Sequence, residues 1–306
     1  MINQIPVLFC ALIIDRAIGD PKTSFHPVAL IGRFIGWWGR PKIYPSVFQK
    51  SIGILGWFLT VFIFTIPFAL FQVFAPWYLY LAGAPFLLKI CFAWRALEEH
   101  ATAVIHAVSE EERAQKASLL VSRDTSVLSG EQNLSAAYES VAENLNDSII
   151  APLFWFLVLG LPGAAMYRAV NTMDAMLGYT DERKNLGWFA ARMDDILSFI
   201  PARICGFLLL IIYALKGRLK QACHIFIRDR KKRPGINGGI PISLIAGGEG
   251  ILFDKPGVYE IGEREKDFRQ AGTSIIKTVR LTILLFCLFA CTALVLLVGA
   301  PKMYGI

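Results

Sequence analysis

The chain has 306 residues, of which 55% are hydrophobic and only 18% charged, with a net charge of +7. Its mean hydropathy is +0.50, whereas soluble globular chains carry about 45–50% apolar and about 25% charged residues. This excludes a soluble enzyme, a disordered chain and a collagen-like or coiled-coil rod. A bilayer core needs about 20 apolar residues per helix, so the chain is expected to be an all-α polytopic membrane protein of roughly four to six membrane helices, some broken or re-entrant, plus membrane-surface helices.

The first apolar run, 5–14, lacks a basic segment before it and a cleavage pattern after it, so it is expected to be a retained short span or embedded helix. Further spans are expected at 51–75, 77–94, 148–166, 196–215 and 281–299, with Ala75-Pro76 turning the second into the third. Two of them are poor spans. The run 148–166 contains Pro152 and a Leu161-Pro162-Gly163 breaker, and 196–215 contains Pro201 and Arg203. Such segments are expected to be re-entrant or buried against other helices.

Charge placement orients the chain. The segment 216–280 holds 14 of the 31 Lys and Arg against 7 acidic residues, the mark of the cytoplasmic side and an attraction for anionic lipid or a polyanionic substrate. With the N-terminus outside, 19–50, 95–147 and 216–280 fall inside with 5, 4 and 14 basic residues. The chain is thus expected to be one membrane-embedded domain, 1–306, of the cell (cytoplasmic) membrane, with a polar helical segment at 95–147 and a basic segment at 216–280 outside the bilayer on the cytoplasmic side. Nucleic-acid binding is not expected, because the cluster Arg228, Arg230, Lys231, Lys232 and Arg233 lacks interleaved aromatics. Six cysteines without a CxxC pair and four scattered histidines indicate neither a disulfide framework nor a zinc site.

Outside the apolar runs, Leu97, Ala101, Val104, Ile105 and Val108 recur at helical spacing, with Glu98, Glu99 and the acids 110–112 on a solvated side. Ser129 with Gln132 predicts a capping box, and Leu134, Tyr138, Val141 and Leu145 the apolar stripe of the helix it starts. Glu139, Glu143 and Asp147 follow at i, i+4 and i+8, and 132–166 contains no basic residue. Unpaired carboxylates in a row suit a divalent cation such as Mg²⁺, the alternative being a polar helix face. Upstream, Ser122, Arg123, Asp124, Thr125 and Ser126 offer hydroxyls and a guanidinium to phosphate oxygens, or form an ordinary polar turn. Asn171 with Asp174, and Arg192 with Asp195, each lie one helical turn apart, with Asp194 adjacent. Arg203, within an apolar run, is expected to have a carboxylate partner or an anionic ligand.

Together these segments resemble the CobD/CbiB cobalamin-biosynthesis membrane proteins, the adenosylcobinamide-phosphate synthases. The resemblance rests on Gly19-Asp20-Pro21 and the run from His26 to Gly32; on Ser122-Arg123-Asp124-Thr125-Ser126; on Glu139-Ser140-Val141-Ala142-Glu143-Asn144 and the Ala151-Pro152-Leu153-Phe154-Trp155 run. It continues through a block from Pro162 to Tyr179, Ala191-Arg192 with Asp194-Asp195, Pro201-Ala202-Arg203, and Asn237-Gly238-Gly239 with Pro241, Ala246-Gly247, Lys255-Pro256-Gly257, Tyr259 and Gly262. After Asn237-Gly238-Gly239 the family commonly has an aromatic and small apolar residues, where this chain reads Ile240-Pro241-Ile242-Ser243.

The resemblance implies ATP-dependent joining of the free propionate carboxylate of (adenosyl)cobyric acid to (R)-1-aminopropan-2-ol or its O-phosphate, giving (adenosyl)cobinamide or its phosphate. It implies Mg²⁺ and ATP, with no haem, zinc or flavin, and as partners the corrinoid, the amino-alcohol phosphate, the lipid bilayer and other late cobalamin-pathway membrane enzymes. Glu139, Glu143, Asp194 and Asp195 are expected to be catalytic, and Glu139, Glu143 and Asp147 to hold metal. Ser122, Arg123, Asp124, Thr125, Ser126, Asn144, Asn171, Asp174, Arg192, Arg203 and Asn237 are expected to bind substrate or phosphate, and Trp155, Trp188 or Phe189 to support the corrinoid. Rival readings are a Mg-dependent membrane prenyltransferase or phosphotransferase, which the acidic groups partly imitate, and a corrinoid transporter, which the broken helices would suit. Six alternating spans would place 167–195 outside. Its 4 basic residues in 29 positions are hardly an outside signature, so Asn171, Asp174, Arg192, Asp194 and Asp195 are expected to open toward the same cytoplasmic cavity as 122–147.

Overall fold

The computed structural model describes residues 4–20 and 27–299; Pro21 and His26 lie outside the described residues. The fold is all-α apart from one short hairpin among the described residues. The chain divides into two compact units, 1–93 with 151–197 and 288–306, and 94–150 with 198–287.

The first unit holds α1 (Gln4–Ile18), α2 (Pro27–Trp38), α3 (Gln49–Phe74), α4 (Trp77–Lys89), α8 (Ala151–Leu159) and α9 (Leu161–Leu177), with the start of α10 (Trp188–Leu215) and the end of α13 (Phe268–Gly299). In α3, Gly53, Gly56, Trp57 and Thr60 are buried at helical spacing while Leu55, Phe58, Leu59 and Phe62 stay exposed. One stripe therefore packs on protein, and the other faces lipid. A Cβ at Gly53 would strike the Leu186 carbonyl, so only glycine lets the loop after α9 sit against the start of α3. Trp38 Nε1 donates to Thr60 Oγ1 at 3.2 Å, and Ile31, Ile35, Trp57, Tyr167, Val170 and Met173 close the core. Missed from the sequence is a buried ionic group in which Lys89 pairs with Asp20 and lies 3.9 Å from Asp15.

The second unit holds α5 (Trp94–Ile105), α6 (Glu110–Ala117), α7 (Gly130–Leu145), a π-helical turn at Asn146–Ile150, the rest of α10, α11 (Leu219–Asp229), α12 (Gly239–Glu249), strands β1 (Leu252–Lys255) and β2 (Tyr259–Gly262), and the first part of α13. The strands pair antiparallel, Leu252 with Gly262 and Lys255 with Tyr259. Both halves of the Ser129–Gln132 capping box form, and Leu134, Tyr138, Val141 and Leu145 are buried as the pattern predicts. Ser135 Oγ accepts from Asp254 N at 2.7 Å, tying α7 to β1. The acids 110–112 occupy the first turn of α6, where the helix dipole favours negative charge.

Two expectations on α5 are corrected. The helix ends at Ile105, so Val108 leaves the apolar stripe and is 94% exposed. Glu98 is not solvated: it accepts from Trp94 Nε1 at 2.6 Å and from both Nε and Nη2 of Arg280.

Four stretches are long and apolar enough to cross a membrane among the described residues: Gln49–Phe74, Trp77–Ile105 (interrupted between α4 and α5), Trp188–Leu215 and Phe268–Leu296. The run 5–14 lies in α1, whose 15 residues reach only about 22 Å at a rise of about 1.5 Å each. The expected span at 148–166 does not exist as one helix. It breaks at Gly160, whose φ of 76° suits glycine, into α8 and α9, and α8 with 9 residues is far too short to cross.

The 196–215 segment is not re-entrant but part of one continuous helix of 28 residues that runs through Pro201, and it is buried against protein as expected along Ala202, Cys205, Leu209 and Tyr213. Pro201 cannot donate to the Leu197 carbonyl. Trp155 Nε1 supplies that hydrogen bond instead, at 3.0 Å. The last span begins at Phe268 rather than 281.

Candidate active site

The carboxylate row on α7 is not unpaired, which corrects the premise drawn from the missing basic residues. Glu139 is 3% exposed. Its Oε2 accepts from Arg123 Nη2 at 2.8 Å and its Oε1 from the Tyr259 hydroxyl at 2.5 Å. Burial raises the Tyr259 pKa and the adjacent Glu139 charge raises it further, so this phenol stays protonated and donates. Glu143, the next acid along, pairs with Arg233. Asp147 lies on the π turn and accepts from Asn146 Nδ2 at 2.7 Å. Burial opposes the charge of Arg233, but Glu143 and Asp147 outweigh it and hold the guanidinium pKa above its ordinary value. The cations come from 16 and 90 positions away in sequence.

Among the described residues no three His, Cys, Asp or Glu side chains converge as a cation site. With Arg123 on Glu139 and Arg233 on Glu143, the row does not fit a resident Mg²⁺ centre. It fits an alternating array of acids and guanidiniums, with Arg123 Nη1 a buried donor lacking a hydrogen-bond partner.

The other expected residues of this unit divide by role. Ser122 is exposed. Asp124 Oδ1 accepts from the Ser126 N–H and hydroxyl at 3.0 and 2.6 Å, and Thr125 Oγ1 donates to the Ala114 carbonyl at 2.8 Å. These contacts shape the turn that presents Arg123. Asn144 donates to Ser140 and accepts from Ser148, bracing the row from within α7. Arg203, expected to meet a carboxylate or an anionic ligand, has an amide as its side-chain partner within the protein. It donates to Asn237 Oδ1 at 2.6 Å and to the Phe199 and Ile236 carbonyls. Arg203 and Arg233 both line a cavity of about 620 Å³. Arg233 and Tyr259 were not singled out as functional from the sequence, because nothing local marks a residue whose partner is so distant.

In the first unit, Asn171 Nδ2 donates to the buried Asp194 at 3.3 Å, joining α9 to α10. Arg192 lies 3.9 Å from Asp195, one turn along α10. A Cβ at Gly178 would collide with the Asp174 carboxylate, which folds over the end of α9. Trp155 is occupied in holding Leu197; Trp188 is exposed beneath Lys50 Nζ at 5.6 Å; Phe189 packs edge-on to Trp57.

Residues 8–294 match the family model described as CobD/Cbib protein. The chain is 38% identical over 297 residues to the probable cobalamin biosynthesis protein CobD of Methanothermobacter thermautotrophicus, covering 94% of this chain and 97% of that one. It is 41% identical over 257 residues to the protein of the same description from Thermococcus kodakarensis, covering 83% and 84% of the two chains. To the cobalamin biosynthesis protein CobD of Dehalococcoides mccartyi it is 35% identical over 269 residues, covering 84% and 86%. No solved structure matches it. With a family match over nearly its whole length and membrane-capable helices in both units, the chain belongs to the CobD/CbiB family of cobalamin-biosynthesis membrane proteins.

Proposed function

We propose that the protein forms an amide bond, joining the free propionate carboxylate of (adenosyl)cobyric acid to (R)-1-aminopropan-2-ol or its O-phosphate with ATP. The observation that carries this proposal is the alternation of Arg123, Glu139, Arg233 and Glu143 in one unit of a cobalamin-family chain. Such an array can hold anionic substrate groups on its guanidiniums and take up a proton on a carboxylate.

The propionate oxygen attacks the γ-phosphorus of ATP and ADP leaves. The amine nitrogen then attacks the acyl carbon, and phosphate departs with the former carboxylate oxygen. Arg123 Nη1, a buried donor, and Arg233 suit the transferred phosphoryl oxygens. Glu143 is the more open of the two paired acids, with 29% of its side chain exposed against 4% for Glu139, and is assigned to take the proton lost by the amine. Mg²⁺ enters as part of the nucleotide substrate.

The test is incubation of purified protein with adenosylcobyric acid, the amino alcohol or its phosphate, and Mg-ATP. Amide product and ADP should accumulate together. ATP-independent product, or isoprenyl transfer from a diphosphate donor without amide formation, would overturn the proposal.

A further inference from the structure

The five cations of 228–233 are not equivalent. Arg228 and Lys232 hold the buried Asp229, each at 2.8 Å, and Arg228 also reaches Glu263. Arg233 engages Glu143. Among the described residues Arg230 and Lys231 have no such carboxylate; Arg230 lies instead over the Phe226 ring, 4.8 Å from its centre. Both line the 620 Å³ cavity together with Arg203 and Arg233. No acidic residue lines it, and its walls are Phe207 and Leu210 of α10, Phe226 of α11, and Ile240 and Leu244 of α12. Two cations without a carboxylate partner and apolar walls in one cavity match an occupant with an anionic head and an apolar body.

The rim identifies the medium that the mouth meets. Phe207 is 60% exposed and Ile236 54%, and Phe207 belongs to a helix of membrane-spanning length and composition. Large apolar side chains left bare at the opening of a cationic cavity are stable against acyl chains and costly against water. We propose that this cavity binds an anionic phospholipid drawn from the surrounding leaflet. Its phosphate sits on Arg230 and Lys231, and its acyl chains run along Phe207, Leu210 and Leu244. Arg203, whose two terminal nitrogens donate to Asn237 and two carbonyls, braces the 234–237 loop and adds its charge to the cavity. The proposal goes beyond the amide-forming reaction and does not depend on it.

The test uses the full chain, delipidated in mild detergent and examined by native mass spectrometry with phosphatidylglycerol, phosphatidylcholine or inorganic phosphate. Phosphatidylglycerol should be retained selectively. Arg230→Gln with Lys231→Gln should weaken its retention about tenfold or more, as expected when charge-assisted hydrogen bonds are lost. Equal retention of the two lipids would overturn the proposal. So would displacement of phosphatidylglycerol by millimolar inorganic phosphate, which would mark a site for a soluble anion. If the double variant fails to fold, the comparison of the two lipids on the unmodified chain decides the matter alone.

Discussion

Arg123 Nη2 stands 2.8 Å from Glu139 Oε2, so a cation from the turn before α7 neutralises a carboxylate buried within α7. Both side chains are largely shielded, 19% and 4% exposed, and removing one member of a buried pair costs about 3–5 kcal/mol because the other charge is stranded. Arg123→Met and Glu139→Leu should each destabilise by about that amount in denaturant unfolding. The double variant should recover part of the loss. Strictly additive effects would show that the pair is not coupled.

Glu143→Gln keeps the shape of the side chain and removes its charge. It should leave the helical circular dichroism intact and lower turnover at least tenfold, of the order expected for loss of a general base. Because the row does not fit a resident metal centre, metal analysis of the dialysed protein should find no stoichiometric divalent ion, and the Mg²⁺ requirement should track the ATP concentration. A tightly retained ion, lost in the Glu143 variant, would contradict this.

Trp155 and Pro201 are predicted to be coupled through the Leu197 carbonyl. Trp155→Phe strands that carbonyl inside α10 and should cost about 1–3 kcal/mol. Pro201→Ala restores a backbone donor to the same oxygen, so Trp155→Phe should be milder in that background. A double-mutant cycle with no interaction energy would refute the link.

Asp229 should make the fold acid-sensitive. Burial alone would raise its pKa, but donors from Arg228, Lys232 and the Gly262 N–H hold it well below the ordinary carboxylate value. Its contribution is therefore fully present above about pH 4, the unfolded value, and lost as pH falls through the lowered folded value. Unfolding midpoints of the unmodified chain should drop over that acidic window, and Asp229→Asn should flatten this part of the profile while lowering stability at neutral pH.

Lys42 Nζ lies 3.2 Å from Glu182 Oε2, which puts the segment before α3 and the loop after α9 at one end of the first unit. At the other end, Gln72 Oε1 accepts from Leu161 N at 2.8 Å, so α9 runs back antiparallel to α3. Cysteines at Lys42 and Tyr179, in a background lacking native cysteines, should show the same accessibility to an impermeant thiol reagent. By the charge distribution both should be protected in intact cells. Labelling of position 179 alone would separate the two loops and restore simple alternation.

Much of what neighbours along the chain carry is legible in the sequence, although the place of the helix break at Gly160 and the end of α5 at Ile105 are not. Helix class and the long apolar spans follow from runs of uncharged residues, and the start of α7 follows from Ser129 and Gln132, whose reciprocal bonds span only three positions. The polar blocks near 122–147, 171–195 and 237 were legible too, because charge and hydroxyl groups stand out against an apolar background. The tertiary structure decided the rest. It placed Arg123, Arg233 and Tyr259 on carboxylates that look unpaired in their own segment, gave Arg203 an amide partner, and let a tryptophan supply the hydrogen bond that Pro201 withholds. The physical reason is range: propensity and capping act within a few residues, whereas a buried charge or an orphaned carbonyl is satisfied by whatever donor the packed helices bring near, however distant in sequence.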